Sequence, residues 1–355
     1  LAIVYDDDTP DNAADNPRRR FEYDAAGRQT ATTDERGNRT QYFYDAIGRL
    51  IRLVNPLGAT ETYAYDALGN RTQQTNPLGR TISYAFDQAG NITRVTYADN
   101  SFVQYAYDAM GRAIRFVDEL GRITQYGYDP EGNLAHVIDS AGGRTEYQYD
   151  ENNNPISIKD AANRITRYEY DLAGRQTATI SPLGFRSETQ FDAVGNPIRT
   201  TDADGRVNQN FFDAEGRVIR RELHDGQVVR FSYDLRGQLI SMVDATGTTS
   251  MSYDKQGRLL QRTNGDGRSI SYQYDAAGNV ASVSMPGETL TYRYDAIGSL
   301  TAVQSSTSGL TSYTYDLNRN KTAIQNADGT RETRNHDLRD RLVSQSSLGA
   351  NNTLL

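Results

Sequence analysis

The 355-residue sequence contains no cysteine and no tryptophan, and only three histidines, His136, His224 and His336. Without cysteine there is no disulfide framework, although that alone places the chain neither inside nor outside a cell. The three histidines occupy unrelated positions and none stands in a Ser or acid pattern, which argues against a catalytic triad. No apolar run is long enough to span a membrane, no signal peptide is present, and no helical period occurs anywhere. Lysine is nearly absent as well: Lys159, Lys255 and Lys321 stand against 35 arginines, the remainder of 38 basic residues. Net charge is -8, the sequence pI is about 5.1, and arginine is spread evenly, so a nucleic-acid footprint is disfavoured. With 37% hydrophobic residues and a mean hydropathy of -0.71, the chain is poor in aliphatics for a globule with one solid core.

What is abundant is tyrosine (24) and glycine (30), and both are periodic. A Tyr-Asp or Phe-Asp pair recurs every 21 residues from Tyr23-Asp24 to Tyr233-Asp234, continues at 253, 274, 294 and 315, and fades to His336-Asp337, making sixteen copies. A period of this length means one supersecondary unit stacked on its neighbours. Glycines 48, 58, 69, 79 and 90 are alternately 10 and 11 residues apart, so each unit holds two turns and is a hairpin. The first turn reads Asp-Ala-x-Gly-Arg/Asn. The second is Pro-Leu-Gly (56–58, 77–79, 182–184) or Asp-x-x-Gly (118–121, 202–205, 244–247). Asp accepts from amides of its own turn, glycine supplies positive φ, and proline fixes the bend.

Between turns lie strands of six or seven residues with alternating character. Aromatics one and three residues before each Asp share a face, which predicts two ladders of stacked rings, while aliphatics such as Leu50, Ile51, Leu53 and Val54 follow the Gly-Arg. An arginine is suited to stack on the ring of the next rung while pairing with a carboxylate. Two units are 20 residues long, and the missing residue is assigned to the turn after Asp244 and to the half-repeat between Gly278 and Gly287, where strand faces are not flipped.

The fold predicted is all-β: tandem hairpin repeats in a continuous antiparallel meander of about 32 strands, on the order of 150 Å along the ribbon. A sheet that long twists and curls, so the ribbon is expected to coil into a hollow spiral shell or solenoid-like wall, with tyrosines and aliphatics on one face and polar, arginine-rich positions on the other. Periodicity leaves open which face points inward. The expected organisation is a partial preceding repeat with an enlarged acidic loop over 1–23, the array over 24–342 and a further truncated repeat over 343–355, all one architectural unit. Both ends fall inside repeats, which reads as a piece of a longer polypeptide.

Few motifs compete with this reading. Asp6-Asp-Asp8 reads as part of a solvated loop, because no calcium-ligand spacing follows. The Asp residues of successive repeats stand about 10 Å apart, too far for paired acid-base work. Asn-x-Thr at Asn38, Asn70, Asn91, Asn320 and Asn351 matches a glycan acceptor and, more plainly, a turn residue followed by the start of a strand. No catalytic residue, metal site or cofactor is predicted. The residues that define the repeat are Tyr44, Asp45, Gly48, Tyr65, Asp66, Gly69, Tyr107, Asp108, Gly111, Tyr128, Asp129, Gly132, Tyr170, Asp171, Gly174, Tyr233, Asp234, Gly237, Tyr274, Asp275, Gly278, Tyr294, Asp295 and Gly298.

The pattern Arg-Thr-x-Tyr-x-Tyr-Asp-Ala-x-Gly-Arg-Leu closely resembles the YD repeats of the RHS family, over about nine tenths of the chain. That family covers bacterial polymorphic toxins, the C component of Tc toxins, wall-associated proteins and teneurins. The resemblance implies a cocoon that encloses a C-terminal toxin or effector, a secreted or cell-surface bacterial location, and secretion machinery as a partner. In the family a core segment cleaves itself beside an Asp-Pro-x-Gly-Leu stretch. Here Asp129-Pro130 is followed by Glu131-Gly132-Asn133 inside an ordinary repeat, so neither autoproteolysis nor toxin activity is carried over and the chain reads as non-enzymatic wall. Two alternatives stay open: a surface that binds carbohydrate or a cell receptor, as in adhesion, and a structural filament or tube formed when open edge strands pair between copies. Choline-binding and clostridial toxin repeats have a similar period but are built around tryptophan.

Overall fold

The structure is a computed structural model that describes residues 2–4 and 18–350. Among these residues there are 33 strands, the first Ala2–Val4 and the last Leu342–Leu348, and no helix. The chain divides into two compact units: one of Leu1–Phe102, Ser252–Thr263 and Gly267–Leu355, the other of Val103–Met251 and Asn264–Asp266. Within each, consecutive strands pair antiparallel, so the meander expected from the two turn signals is what forms.

One repeat shows how the sequence does this. Strand Arg39–Tyr44 turns back through Asp45–Arg49 into strand Leu50–Val54. In the turn the Gly48 amide donates to the Asp45 carbonyl at 3.1 Å, and the Asp45 amide donates to the Arg49 carbonyl at 2.9 Å. Gly48 takes a φ of +91°, a conformation open to glycine at little cost. The same bonding recurs at the second turn, where the Gly58 amide meets the Asn55 carbonyl and the Asn55 amide meets the Ala59 carbonyl. The two ends nevertheless differ. Beyond the second turn the ladder is regular, with Val54 opposite Thr60 and Leu53 opposite Glu61. Beyond the Tyr-Asp turn the register slips: Tyr44 faces Leu50, but Phe43 faces Arg52, leaving Ile51 as the extra residue of a β-bulge. The slip recurs at Tyr107, Tyr128, Tyr170, Tyr233 and Tyr274. A bulge bends its strand and adds right-handed twist.

In the 20-residue units the missing residue comes out of the second turn. Asp244 pairs with Gly247 and Met285 with Glu288, so the ladder runs one pair further and only two residues bridge it. The shorter bridge at Ala245–Thr246 brings Gly265 in so close that a Cβ there would lie 2.4 Å from the Thr246 carbonyl oxygen.

The faces segregate by cross-strand pairs. On one face a tyrosine three residues before the Asp lies opposite an aliphatic in several repeats, Tyr42 on Leu53, Tyr84 on Val95, Tyr126 on Val137 and Tyr272 on Val283, and opposite a polar residue in others, as Tyr63 on Gln74 and Tyr168 on Thr179. On the other face stand Phe43 on Arg52, Ala85 on Arg94, Gln190 on Arg199 and Phe211 on Arg220. His136 lies on this polar face with its imidazole covering Gly127, where a Cβ would clash at 2.1 Å. Among the described residues there is a single sheet and no helix to cover either face. Among the described residues the buried hydrophobics are small or of medium size, such as Ala31, Val103, Val117 and Ala178, and none of the large side chains is fully buried. Stability therefore rests on contacts between neighbouring hairpins, as in other repeat proteins.

Candidate functional site

The chemistry of this chain is repeated, and its centre is the Tyr-Asp turn. Asp45 Oδ1 accepts the amides of Ile47 (3.1 Å) and Arg49 (2.9 Å), while Oδ2 accepts Arg49 Nε at 2.7 Å. Asp108 and Asp171 repeat the full set, and Asp129, Asp234, Asp275 and Asp295 accept the amide of the residue after their turn glycine. Where asparagine replaces arginine, its amide donates to the same oxygen: Asn70 to Asp66, Asn91 to Asp87, Asn320 to Asp316. At Asp45, Asp66, Asp87, Asp108 and Asp171 these donors hold the carboxyl below the ordinary range. For Asp45 and Asp108 the largest cause is the backbone amide of the following arginine; for Asp66 and Asp87 it is the asparagine side chain. Asp337 is drawn down to about 2, chiefly by the Arg341 side chain.

The bulge creates a second requirement. Strand Leu50–Val54 pairs with the following strand only from Arg52 onward, so the Leu50 carbonyl has no ladder partner there. The hydroxyl of Tyr65, in the next repeat, donates to that carbonyl at 2.7 Å. The same bond joins Tyr44 to Gln29, Tyr128 to Ala113, Tyr149 to Leu134, Tyr170 to Pro155, Tyr233 to Val218, Tyr274 to Leu259, Tyr294 to Val280 and Tyr315 to Leu300. The arginine after the turn glycine closes the clasp. The Arg49 guanidinium lies 4.8 Å from the Tyr65 ring centroid and donates through Nη1 to the Asp66 carbonyl at 2.8 Å. Arg28 over Tyr44, Arg112 over Tyr128, Arg175 over Phe191, Arg217 over Tyr233 and Arg258 over Tyr274 are equivalent.

This corrects one expectation. The ladder along the ribbon is not ring upon ring, since tyrosines one repeat apart are two strands, about 10 Å, from each other. The guanidinium fills that gap. Direct ring packing is seen within a repeat, as between Tyr105, Tyr107 and Phe116. Tyr63 is held differently: burial, then its 2.8 Å bond to Glu61, pushes its hydroxyl pKa up to about 12.

The turn glycines 48, 69, 132, 174, 237, 278 and 298 all have positive φ, as does Gly111. Two Tyr-Asp turns near the end carry Arg319 (φ 70°) and Asp340 (φ 62°) at this position. The reason is visible for Asp340, in the first compact unit. Its carboxylate takes hydrogen bonds from Asn318 and Asn320 and an ion pair with Arg80, 260 residues away in sequence. Arg339 covers Tyr97 at 3.8 Å, and Arg341 pairs with Asp99 at 3.5 Å. Likewise Arg36 approaches Asp275 at 3.8 Å. In this unit, then, the second-turn edge of the early repeats lies against the Tyr-Asp-turn edge of the late ones, and Tyr97, Arg80, Leu338 and Arg339 line a cleft of about 230 Å³ between them. Nothing in the 21-residue period encodes this seam, and a departure from glycine does not mark it by itself, since the Asp150 turn carries Asn153 (φ 63°) at the same position.

The remaining sequence candidates fall into structural places. The His224 amide donates to Asn208 Oδ1, and His336 stands at the tyrosine position opposite Leu342. Asn38 donates to Asp34, as a turn residue. The acidic loop with Asp6-Asp-Asp8, and Asn351, lie outside the described residues.

The protein-family comparison matches an RHS repeat model at residues 23–60, 44–81, 65–101, 86–115 and 253–290, and a teneurin YD-shell model at 102–234. The chain is built of RHS-type YD repeats. No curated protein matches it in sequence. Among solved structures, the YD-repeat chain resembles the TcdB2-TccC3 complex, with TM-score 0.74 and 14% identity over 94% of this chain. A form of that complex without the hypervariable C-terminal region gives 0.74 and 14% over 93%, and the Photorhabdus luminescens Tc holotoxin pore gives 0.63 and 16% over 95%. At these identities the likeness is one of fold. The YD-repeat chain spans about a quarter of those chains, 23–24% of their length.

Proposed function

We propose that the chain is a stretch of the wall of a secreted YD-repeat shell, a non-enzymatic container that encloses a toxin or effector segment and keeps it inactive until delivery. The observation that carries this reading is the shared fold: nearly the whole chain superposes on about a quarter of toxin-complex chains that contain TccC3. The clasp suits a wall. It ties each hairpin to the next by a hydroxyl, a guanidinium and a carboxylate, without needing a solid core. It also weighs against a carbohydrate-binding surface, because sugars stack on open aromatic faces, and here Tyr44, Tyr65, Tyr128, Tyr233 and Tyr274 each have a guanidinium over the ring.

Limited proteolysis of the full native protein, followed by mass spectrometry, tests the reading. A segment outside the repeats is expected to resist cleavage while the repeats are folded and to be cut once they are denatured. Equal cleavage in both states would reject enclosure.

A further inference from the structure

Along the ribbon each hairpin is joined to the next by a backbone ladder, and the strand contacts seen among the described residues are between neighbours in sequence. The seam within the first compact unit is a joint of another kind. Among the described residues no backbone hydrogen bond crosses it. Its two edges meet through side chains: Arg80 pairs with Asp340, Arg341 with Asp99, and Arg339 covers Tyr97 and donates to Ser101 Oγ at 3.3 Å. Farther along the same two edges, Arg36 approaches Asp275. The edges are not close-packed like a protein interior. Clefts of about 230 Å³ and 370 Å³ lie between them, the first lined by Tyr97 and Leu338, the second by Pro56 and Ile297.

Asp340 is where the two kinds of joint meet. At the turn glycines 48, 132, 195, 237 and 278, an added Cβ would lie 3.5–3.8 Å from the arginine that ends the preceding Tyr-Asp turn, so a side chain at this position points back along the ribbon. Asn153 uses that direction, accepting from Asn133 at 2.8 Å. Asp340 does the same, accepting from Asn320 at 2.6 Å and from Asn318 at 3.0 Å, and its carboxylate also takes Arg80 from across the seam. One charge therefore fastens a late repeat both to the repeat before it and to the early edge.

We propose that the seam is a latch in the wall: its two edges part as one unit while the hairpins on either side stay folded, and the charge of Asp340 holds it shut. Ion pairs of this kind are weak singly, and a region held by few packed contacts opens well below the free energy of global unfolding. Parting breaks no strand pairing, so the wall has a line along which it gives without unraveling. The latch rests on the wall reading for its purpose alone. Exchange at the seam reports it whether or not a segment is enclosed, so either idea can fail without the other.

Amide hydrogen exchange by mass spectrometry on the full chain, wild type against Asp340→Asn, tests this. Asparagine is already accommodated at this position, at Asn153 with φ 63°, so the variant removes the charge and little else. Peptides covering 76–80, 97–101 and 337–341 should exchange about fivefold faster or more. Because the edges part together, peptides covering 34–38 and 275–279 should quicken as well, although neither touches Asp340. Arg80→Gln, on the opposite edge, should give the same pattern. The turn Asp171–Arg175, whose carboxylate and guanidinium bond within their own and the next repeat, should not respond in either variant. Strand peptides covering 321–325 and 331–336 should keep their wild-type rates. A response confined to 76–80 and 337–341 overturns the proposal, because the seam would then not part as a unit. So does equal acceleration in those strands, which would mean that the late hairpins unfold, and so does an unchanged seam in both variants.

Discussion

Replacing Tyr65 by phenylalanine isolates one bond of the clasp. The ring stays under Arg49, 4.8 Å from the guanidinium, and only the 2.7 Å hydrogen bond to the Leu50 carbonyl is lost. That carbonyl sits at a bulge with no ladder partner toward the next strand, so its desolvation is no longer offset. A neutral hydrogen bond of this kind contributes about 1 kcal/mol net, with an upper bound near 2 if the carbonyl stays dry. In a linear array such a loss is local and global unfolding need not be two-state, so the assay is amide hydrogen exchange by mass spectrometry. Peptides covering 50–65 should exchange about five- to thirtyfold faster, while peptides several repeats away should not change. The chain supplies a converse test: Arg175 covers Phe191 at 4.8 Å and donates to the Asp192 carbonyl at 3.1 Å, a clasp lacking only the hydroxyl. Phe191→Tyr should slow exchange around Gln176 by a similar factor. Unchanged exchange in both variants would refute the idea that the hydroxyl completes the bulge.

Further perturbations follow from the same geometry. The carboxylates of Asp45, Asp66, Asp108 and Asp337 have folded pKa values below their unfolded ones, so their stabilisation is present above the unfolded value near 4; it is lost as pH falls toward the folded values, which for Asp337 is about 2. Circular dichroism should show stability falling between about pH 4 and 2, whereas a stability independent of pH in that window would contradict the turn assignment. A Cβ at Gly69 meets nothing within 4 Å, so Gly69→Ala should cost only the positive-φ strain, about 1 kcal/mol, and Gly69→Asn less. Gly265→Ala should cost more than either in thermal melts, because its Cβ meets backbone at 2.4 Å. Asp340→Gly removes a strained φ yet also removes the acceptor of Arg80, Asn318 and Asn320; exchange around residues 76–82 and 318–341 should rise, and a slowed exchange there would show that strain outweighs the seam.

The sequence was legible where the physics is local. Gly48 and Gly58 announced two turns per repeat, Asp45 announced its turn bonds, and the shortened stretch after Asp244 announced a tighter turn. An arginine that stacks and pairs at once was expected from the excess of arginine over lysine, but not which position supplies it; Arg49 and its equivalents do. The bulge at Ile51 was not anticipated, because one extra residue beside a turn leaves the alternation of Tyr42 and Tyr44 intact. The ring ladder was misread for a related reason: periodicity gives the height of each tyrosine but not the two-strand distance to the next. The seam from Arg80 to Asp340 depends on how many repeats the twisted ribbon takes to bring two edges together. That follows from small increments of twist per bulge and not from any single residue.

The central claim is that these hairpins are wall and not globule, and the most direct test is the mass of the native polypeptide together with electron micrographs of it. A chain several times longer than 355 residues, forming a closed shell with density inside, is the predicted result. A native chain of about this length that forms fibres or empty particles would contradict it.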